Sequence, residues 1–322
     1  MDKKEGLFSY LPVSFFGSVM GLSGLSIGWR LASNIYGLPK IIGEIIGAIA
    51  IISFIALCVC YLLKIITSYD SFKAEYKSPL TRSFFGTFII SILLLPIILY
   101  SYMPRVAAFL WVLGVILMFL FALHIVSFWL GVTQEHTHVT PAWIIPVVGT
   151  LDIPLAFHLF DFSFGYDISL IALSIGLFFA LPIFTLVLSR ILFIEPMPEK
   201  LKPSLMILIA PFSVGFSAYV EVVGSVDLFA QMLYFIAIFM FISMIPQMLK
   251  SRFCCPFKVT WWAVSFPLSA TLVATLKMAN AIDKPFLHML SIIFLFIVTL
   301  TLLWLSVRTL KDIFQGNLPN IA

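Results

Sequence analysis

Apolar residues in this chain come in long blocks. The stretch "IIGEIIGAIAIISFIALCVCYLLKII" (41–66) is one of many that are interrupted only by short clusters of charged residues, glycine and proline. A helix crossing the ~30 Å hydrocarbon layer of a bilayer needs about 20 residues at 1.5 Å rise each. Cutting the chain at its charge and turn clusters predicts ten such helices: 8–33, 39–66, 79–102, 105–130, 140–160, 166–190, 203–223, 226–249, 258–279 and 285–309. The pattern is that of an all-α integral membrane protein with one ten-span domain over residues 1–322. The first residues, "MDKKEGLFSYLPVSFFG", run directly into an apolar segment without a small-residue cleavage site, so the first span is expected to be kept.

Composition agrees with the pattern. The 322 residues are 61% hydrophobic and 11% charged, which a soluble domain with an ordinary polar surface would not tolerate. With ten spans the connections alternate between two sides, and the basic residues divide unequally between them. Lys3, Lys4, Lys64, Lys73, Lys77, Arg82, Arg190, Lys200, Lys202, Lys250, Arg252, Lys258, Arg308 and Lys311 share the side of the N-terminus. Only Arg30, Lys40, Arg105, Lys277 and Lys284 fall on the other. This bias of 14 against 5 predicts an even span count with both termini in the cytoplasm. The net charge of +4 is then an orientation signal and does not point to nucleic acid.

Proline divides the spans into two sets. Odd spans begin near Pro12, Pro79, Pro141, Pro203 and Pro256, at intervals of 67, 62, 62 and 53 residues, so the chain reads as five copies of a two-helix unit. Proline at a helix start is cheap, because its missing N–H would be unpaired there anyway. Interior prolines also concentrate in odd spans: Pro96, Pro146, Pro154, Pro211 and Pro267, against Pro182 and Pro246 in even ones. In lipid, a broken helix is tolerated where its backbone is buried in protein or lines a wet cavity. The odd spans are therefore expected to form an inner set. In the first of them Gly17, Gly21, Gly24 and Gly28 share one helical face, which reads either as a small-residue packing face or as a face that leaves a lumen open. Gly43 and Gly47 in an even span show that the motif alone does not decide.

Five stretches, in order along the chain, resemble the tellurite-resistance/dicarboxylate transporter superfamily, in particular the bacterial TehA-like relatives of the plant slow-type guard-cell anion channels. They are "LPVSFFGSVMGLSGLSIGW", "EYKSP", "TPAWIIP", "LIAPFSVGFSAY" and "WWAVSFPLSA". The resemblance implies five helical hairpins with quasi-fivefold symmetry around a central pore, a homotrimer with one pore per protomer, and passive conduction of chloride and nitrate. It also implies that Phe266 plugs the pore midway and packs against Gly17, with Gly21, Pro146, Gly149, Pro211, Gly215 and Pro267 lining the pore or supporting the gate. Depth arithmetic agrees, since Phe266 follows Lys258 by eight residues, about 12 Å along a helix. An uncharged constriction blocks ions by refusing to hold water. Two departures stand out: Pro267 follows the plug where the family usually has glycine, and the third span has no proline near Ile89 and Ile90. With about ten residues flanking the spans at either end, gating by long tails is not expected.

Asp152 is the awkward residue for an anion path. It lies about 16 Å into the fifth span, and an ionisable residue at that depth is a functional hypothesis by default. Its alternatives are a protonated acid, a pair with His158 or Lys277, a contact turned toward a neighbouring helix, or a proton-coupling site. Arg30 and Lys277, near the far ends of the first and ninth spans, either attract anions at a mouth or snorkel to headgroups. His124 reads as a helix-contact residue, and Glu135, His136 and His138 are too few ligands for a metal site. Cys58, Cys60, Cys254 and Cys255 lack zinc or disulfide spacing and are expected to be reduced. No nucleophile elbow, phosphate loop or H-E-x-x-H motif is present, so neither an enzyme nor a cofactor is expected. The expected activity is that of an anion channel in a bacterial inner membrane, with small inorganic anions and membrane lipids as partners. A secondary carrier of dicarboxylate, sulfite or tellurite-like oxyanions, proton-coupled through Asp152, is the alternative.

Overall fold

A computed structural model describes residues 6–194, 197–254 and 257–322. Lys3, Lys4, Cys255 and Pro256 lie outside the described residues, as do the side chains of Lys200, Lys250, Arg252 and Cys254. The described secondary structure is entirely helical. Long helices α1 (Gly17–Tyr36), α2 (Lys40–Thr67) and α5 (Pro104–Gly131) alternate with shorter ones, α3 (Tyr69–Lys77) and α4 (Phe85–Leu99). A four-residue α6 (Ile145–Val148) and α7 (Gly165–Phe193) follow, then α8 (Ala210–Val223), α9 (Leu228–Cys254), α10 (Ser265–Ile282), α11 (Pro285–Phe314) and α12 (Leu318–Ile321).

Burial separates the helices into the two predicted sets. In the segments Arg82–Leu99, Pro141–Leu159, Leu201–Val223 and Val259–Ile282, 72 to 89% of the most apolar window is buried. In α2, α5, α7, α9 and α11 the share is 17 to 33%. Each outer helix turns large apolar side chains outward, such as Ile52, Phe109, Phe178, Phe239 and Phe296, all at least 65% exposed. A surface so apolar is suited to lipid and not to water. These nine segments are, among the described residues, the ones long and apolar enough to cross a bilayer. The segment carrying α1 is less apolar because glycine, serine and Arg30 replace larger apolar residues. It is nonetheless buried at every position from Gly17 to Ser26.

The inner segments touch in a closed ring, α1 against α4, α4 against the α6 segment, that segment against α8, α8 against α10, and α10 back against α1. Each also packs on the outer helix that follows it in the chain. Tight connections make these hairpins. Gly37 and Gly224 end α1 and α8 in the left-handed conformation, at φ 67° and 78°, and their N–H groups cap Ser33 and Val220 carbonyls. In two other hairpins, after α4 and α10, proline starts the return helix, at Pro104 and Pro285.

The interior prolines behave differently from the kinks expected of them. Every inner segment starts as a 3-10 helix and converts to α-helix at residue 17, 85, 145, 210 or 265. Pro146, Pro211 and Pro267 occupy the first turn of the α part, at its junction with the 3-10 helix. The 140–160 segment departs furthest from the single helix predicted for it. It is a chain of short turns, Pro141–Ile144, α6, Gly149–Asp152 and Phe157–Leu159. One of its backbone carbonyls finds a partner in the outer shell, since Trp111 Nε1 donates to the Ile153 carbonyl at 3.1 Å, and its Thr150 Oγ1 ties it to α7 by donating to the Ala172 carbonyl at 2.9 Å. Such satisfaction by neighbours is what makes broken backbone tolerable at this depth.

The glycine face of α1 is a packing face against α10. Ser265 Oγ donates to the Gly17 carbonyl at 3.0 Å and Ser269 Oγ to that of Gly21 at 2.9 Å. A Cβ at Gly24 would sit 2.6 Å from Ser269 Cβ, and one at Gly28 2.7 Å from Leu272 Cδ2, so side chains there would force the helices apart. Gly43 and Gly47 of α2 play the same part toward α1 and α4, against Arg30, Ser26 and Ile98.

Candidate functional site

Two cavities lie end to end inside the ring. The near cavity, about 50 Å³, is walled by the first halves of the inner segments, from Ser14, Phe84, Ile144, Ile207 and Trp262 inward. The far cavity, about 150 Å³, is walled by their second halves, out to Leu31, Ile97, His158, Glu221 and Lys277. Every lining residue of both comes from an inner segment, and all five segments contribute to each. In α8 the lining positions 210, 214, 217 and 221 recur at intervals of three and four, and in α10 positions 266, 270, 273 and 277 do the same. One continuous face of each helix therefore looks onto the axis. Phe8, Leu11, Ile313 and Leu318 line one common groove, so the N-terminal and C-terminal ends of the described chain lie together at the near end.

Phe266 and Val214 are the two residues that border both cavities. Phe266 is 9% exposed and sits in the first turn of α10, with Pro267 next to it on the near-cavity wall. Thr271 Oγ1 donates to the Pro267 carbonyl at 2.8 Å, which fixes the backbone just beyond the ring.

The other predicted site residues divide. Gly17 and Gly149 line the near cavity. A Cβ at Gly17 would meet the Trp262 carbonyl at 3.5 Å, so this glycine seats the backbone leading to Phe266 instead of receiving the ring as its nearest neighbour. Gly21, Pro146, Pro211 and Gly215 line neither cavity. The side-chain space at Gly21 is filled by Ser265, and that at Gly215 points to Leu177 of α7, 3.2 Å away. These four residues serve helix packing and the 3-10 to α junctions.

Asp152 does line the near cavity and is 1% exposed, and its Oδ1 has no hydrogen-bond partner. The pairs foreseen for it with His158 or Lys277 do not form. Both of those groups converge on Glu221 instead: His158 Nδ1 lies 3.0 Å from Glu221 Oε2, and Lys277 Nζ bonds Glu221 Oε1. Glu221 and Val214 are the site residues that sequence reasoning missed. A signal was present, because Glu221 is the one ionisable residue in the predicted 203–223 span. Arg30 belongs to neither cavity and donates to the Ile98 carbonyl at 3.1 Å. Among the described residues no group of histidine, cysteine and carboxylate side chains could hold a metal ion, and Cys58 and Cys60 are free thiols.

The sequence that builds this ring has relatives among known proteins. The family model described as "voltage-dependent anion channel" matches residues 10–310. The chain belongs to this SLAC1 family. Relatives in the family include the S-type anion channel SLAH3 of Arabidopsis thaliana, 26% identical over 98% of this chain and 52% of the relative. The guard cell S-type anion channel SLAC1 of the same plant is 25% identical over 96% of this chain and 57% of its own length. The chain thus spans little more than half the length of these plant relatives. The tellurite resistance protein TehA homolog of Haemophilus influenzae is 27% identical over 81% of this chain and 79% of the relative.

Proposed function

We propose that this chain passes small monovalent anions, chloride and nitrate among them, along the axis of the inner ring, with Phe266 as the closing residue. The observation that carries this reading is the pair of cavities, built from all five inner segments and meeting at Phe266 and Val214. An aromatic ring and an isopropyl group where the two cavities meet offer an ion nothing in exchange for its water, so in this reading the path is closed until the ring moves. On either side the walls are mostly apolar and present no cage of donors, which suits ions that must leave as easily as they arrive. Several relatives are named S-type anion channels, which agrees with this reading.

In this reading α1 is a tenth crossing. Chain ends at one end of the bundle require an even number of crossings, and among the described residues nine segments qualify by length and hydropathy alone. The basic residues crowd the same end, which supports a reading with both termini in the cytoplasm, in a bacterial inner membrane. The test is a recording from the purified protein reconstituted in a voltage-clamped bilayer, with chloride, nitrate, sulfite and malate compared. Currents carried by chloride and nitrate but not by malate are expected. Labelled malate or sulfite uptake without any current would overturn the channel reading.

Asp152 favours a second reading, a proton-coupled carrier, because this residue lines the near cavity and its buried Oδ1 has no hydrogen-bond partner. Asp152→Asn separates the two. A channel should keep its anion current within about twofold, since a neutral amide replaces a group that needs no charge for conduction. A carrier should lose transport and lose the shift of its reversal potential with a pH gradient, because the exchangeable proton is gone. Reversal potentials measured across a pH step of two units distinguish these outcomes.

A further inference from the structure

The far cavity ends in a cluster of charge that the closing residue does not explain. Glu221 from α8, Lys277 from α10 and His158 from the turn Phe157–Leu159 meet there, three inner segments converging on one carboxylate. Glu221 and Lys277 also wall a shallow pocket farther out, together with Gly224, Ser225 and Asn280. The pair is therefore the partition between the far surface and the far cavity. Its side chains are 20% and 18% exposed, and that of His158 is 47% exposed. The lining of the far cavity from α1 and α4, Gly24, Ile27, Leu31, Leu94 and Ile97, is apolar, and among the described residues the other inner segments add no titratable group beyond these three.

The chemistry of this cluster is unusual for the mouth of an anion path. A lone carboxylate would repel anions, and a lone ammonium in a half-buried wall would hold them too firmly. Here Glu221 occupies Lys277, so with His158 neutral the cluster has no net charge. When His158 takes a proton, two cations share one carboxylate and the net charge becomes +1. Glu221 can then stay with the imidazolium, leaving ammonium protons free for a ligand. We propose that His158, Glu221 and Lys277 form an anion-binding site at the far mouth, occupied at rest by Glu221 as a built-in counter-ion and opened to halide or nitrate-sized anions by protonation of His158. This rests on the reading of the axis as an anion path, and it names where an anion is first held.

Anion binding is expected to be stronger with His158 protonated, and so at the lower pH. One added charge within a few ångströms of the ligand corresponds to about tenfold or more in affinity. The experiment is a thermal-shift titration of the detergent-purified protein with sodium nitrate, in a sodium gluconate background of constant ionic strength, at pH 5.5 and pH 8.0. The wild type should bind nitrate about tenfold more tightly at pH 5.5. Glu221→Gln should bind at both pH values, because Lys277 has lost its internal partner, and Lys277→Met should bind at neither. His158→Gln should bind weakly, with no pH dependence. Nitrate affinity that is equal at the two pH values in the wild type, or that survives in Lys277→Met, overturns the proposal. The readout needs no ion flux, so the two readings fail separately. Binding that tracks Lys277 in a protein that never conducts leaves the site standing without the path, and currents without such binding leave the path without the site.

Discussion

Phe266→Ala is expected to raise anion conductance strongly, by roughly one to two orders of magnitude, since each tenfold corresponds to about 1.4 kcal/mol of barrier removed. The ring is the largest group bordering both cavities, and Val214 is the only other residue they share. Truncation to a methyl group would join the near and far spaces and allow water to run through, which is the condition for an ion to follow. Phe266→Leu should lie between the wild type and the alanine variant, because it keeps an apolar side chain of smaller girth at the same place. The measurement is single-protein or macroscopic current in chloride and nitrate under voltage clamp. Elution and melting profiles should confirm that the variants fold. A folded Phe266→Ala that stays silent in both anions would remove Phe266 from the gate.

Much of the fold was legible because lipid makes demands that sequence records directly. Outer helices must show apolar side chains all round, so α2, α5, α7, α9 and α11 stand out by hydropathy alone. Inner segments must tolerate interrupted backbone, so prolines gather in them. What the prolines do there was not legible. Whether a proline kinks an α-helix or starts one depends on whether the preceding turns are 3-10, and the 3-10 segment Glu199–Ile209, for one, carries no local signal that distinguishes it from an α-helix. The glycine faces were equally ambiguous, since a glycine leaves room without saying what fills it; Ser265, Ser269 and Leu272 fill it here. The position of Phe266 beside both cavities was legible by resemblance and depth. The Glu221 cluster was not, because its partners Lys277 and His158 lie more than 50 residues away in opposite directions and only the ring brings them together. Lys64 illustrates the same limit. It counts as one of the basic residues of the cytoplasmic side, yet it is 3% exposed and bound to a carboxylate.

That buried pair gives the second large expectation. Lys64 Nζ donates to Glu75 Oε2 at 2.6 Å and to the Leu11 carbonyl at 2.7 Å. Glu75 in turn accepts from the Val13 N–H at 2.6 Å and from the Tyr61 hydroxyl at 2.9 Å. One carboxylate from "EYKSP" therefore ties α2, α3 and the chain entering α1 together. Lys64→Met would leave this carboxylate, 10% exposed, without its counter-charge, and a buried pair broken on one side costs about 3–5 kcal/mol. The expected result is a melting temperature several degrees lower in detergent. Lys64→Met combined with Glu75→Gln should recover part of the loss, because a neutral pair leaves no unpaired charge behind. Equal melting of the single and double variants would mean that the charge is not what holds this corner. The consequence reaches the axis, since Val13 opens the segment that carries Ser14 and Gly17 to the near cavity. Gly17 in turn seats the Trp262 backbone just ahead of Phe266. A loosened anchor should therefore alter the closed path as well as the stability, and leak current in folded Lys64→Met, absent from the double variant, would mark that connection.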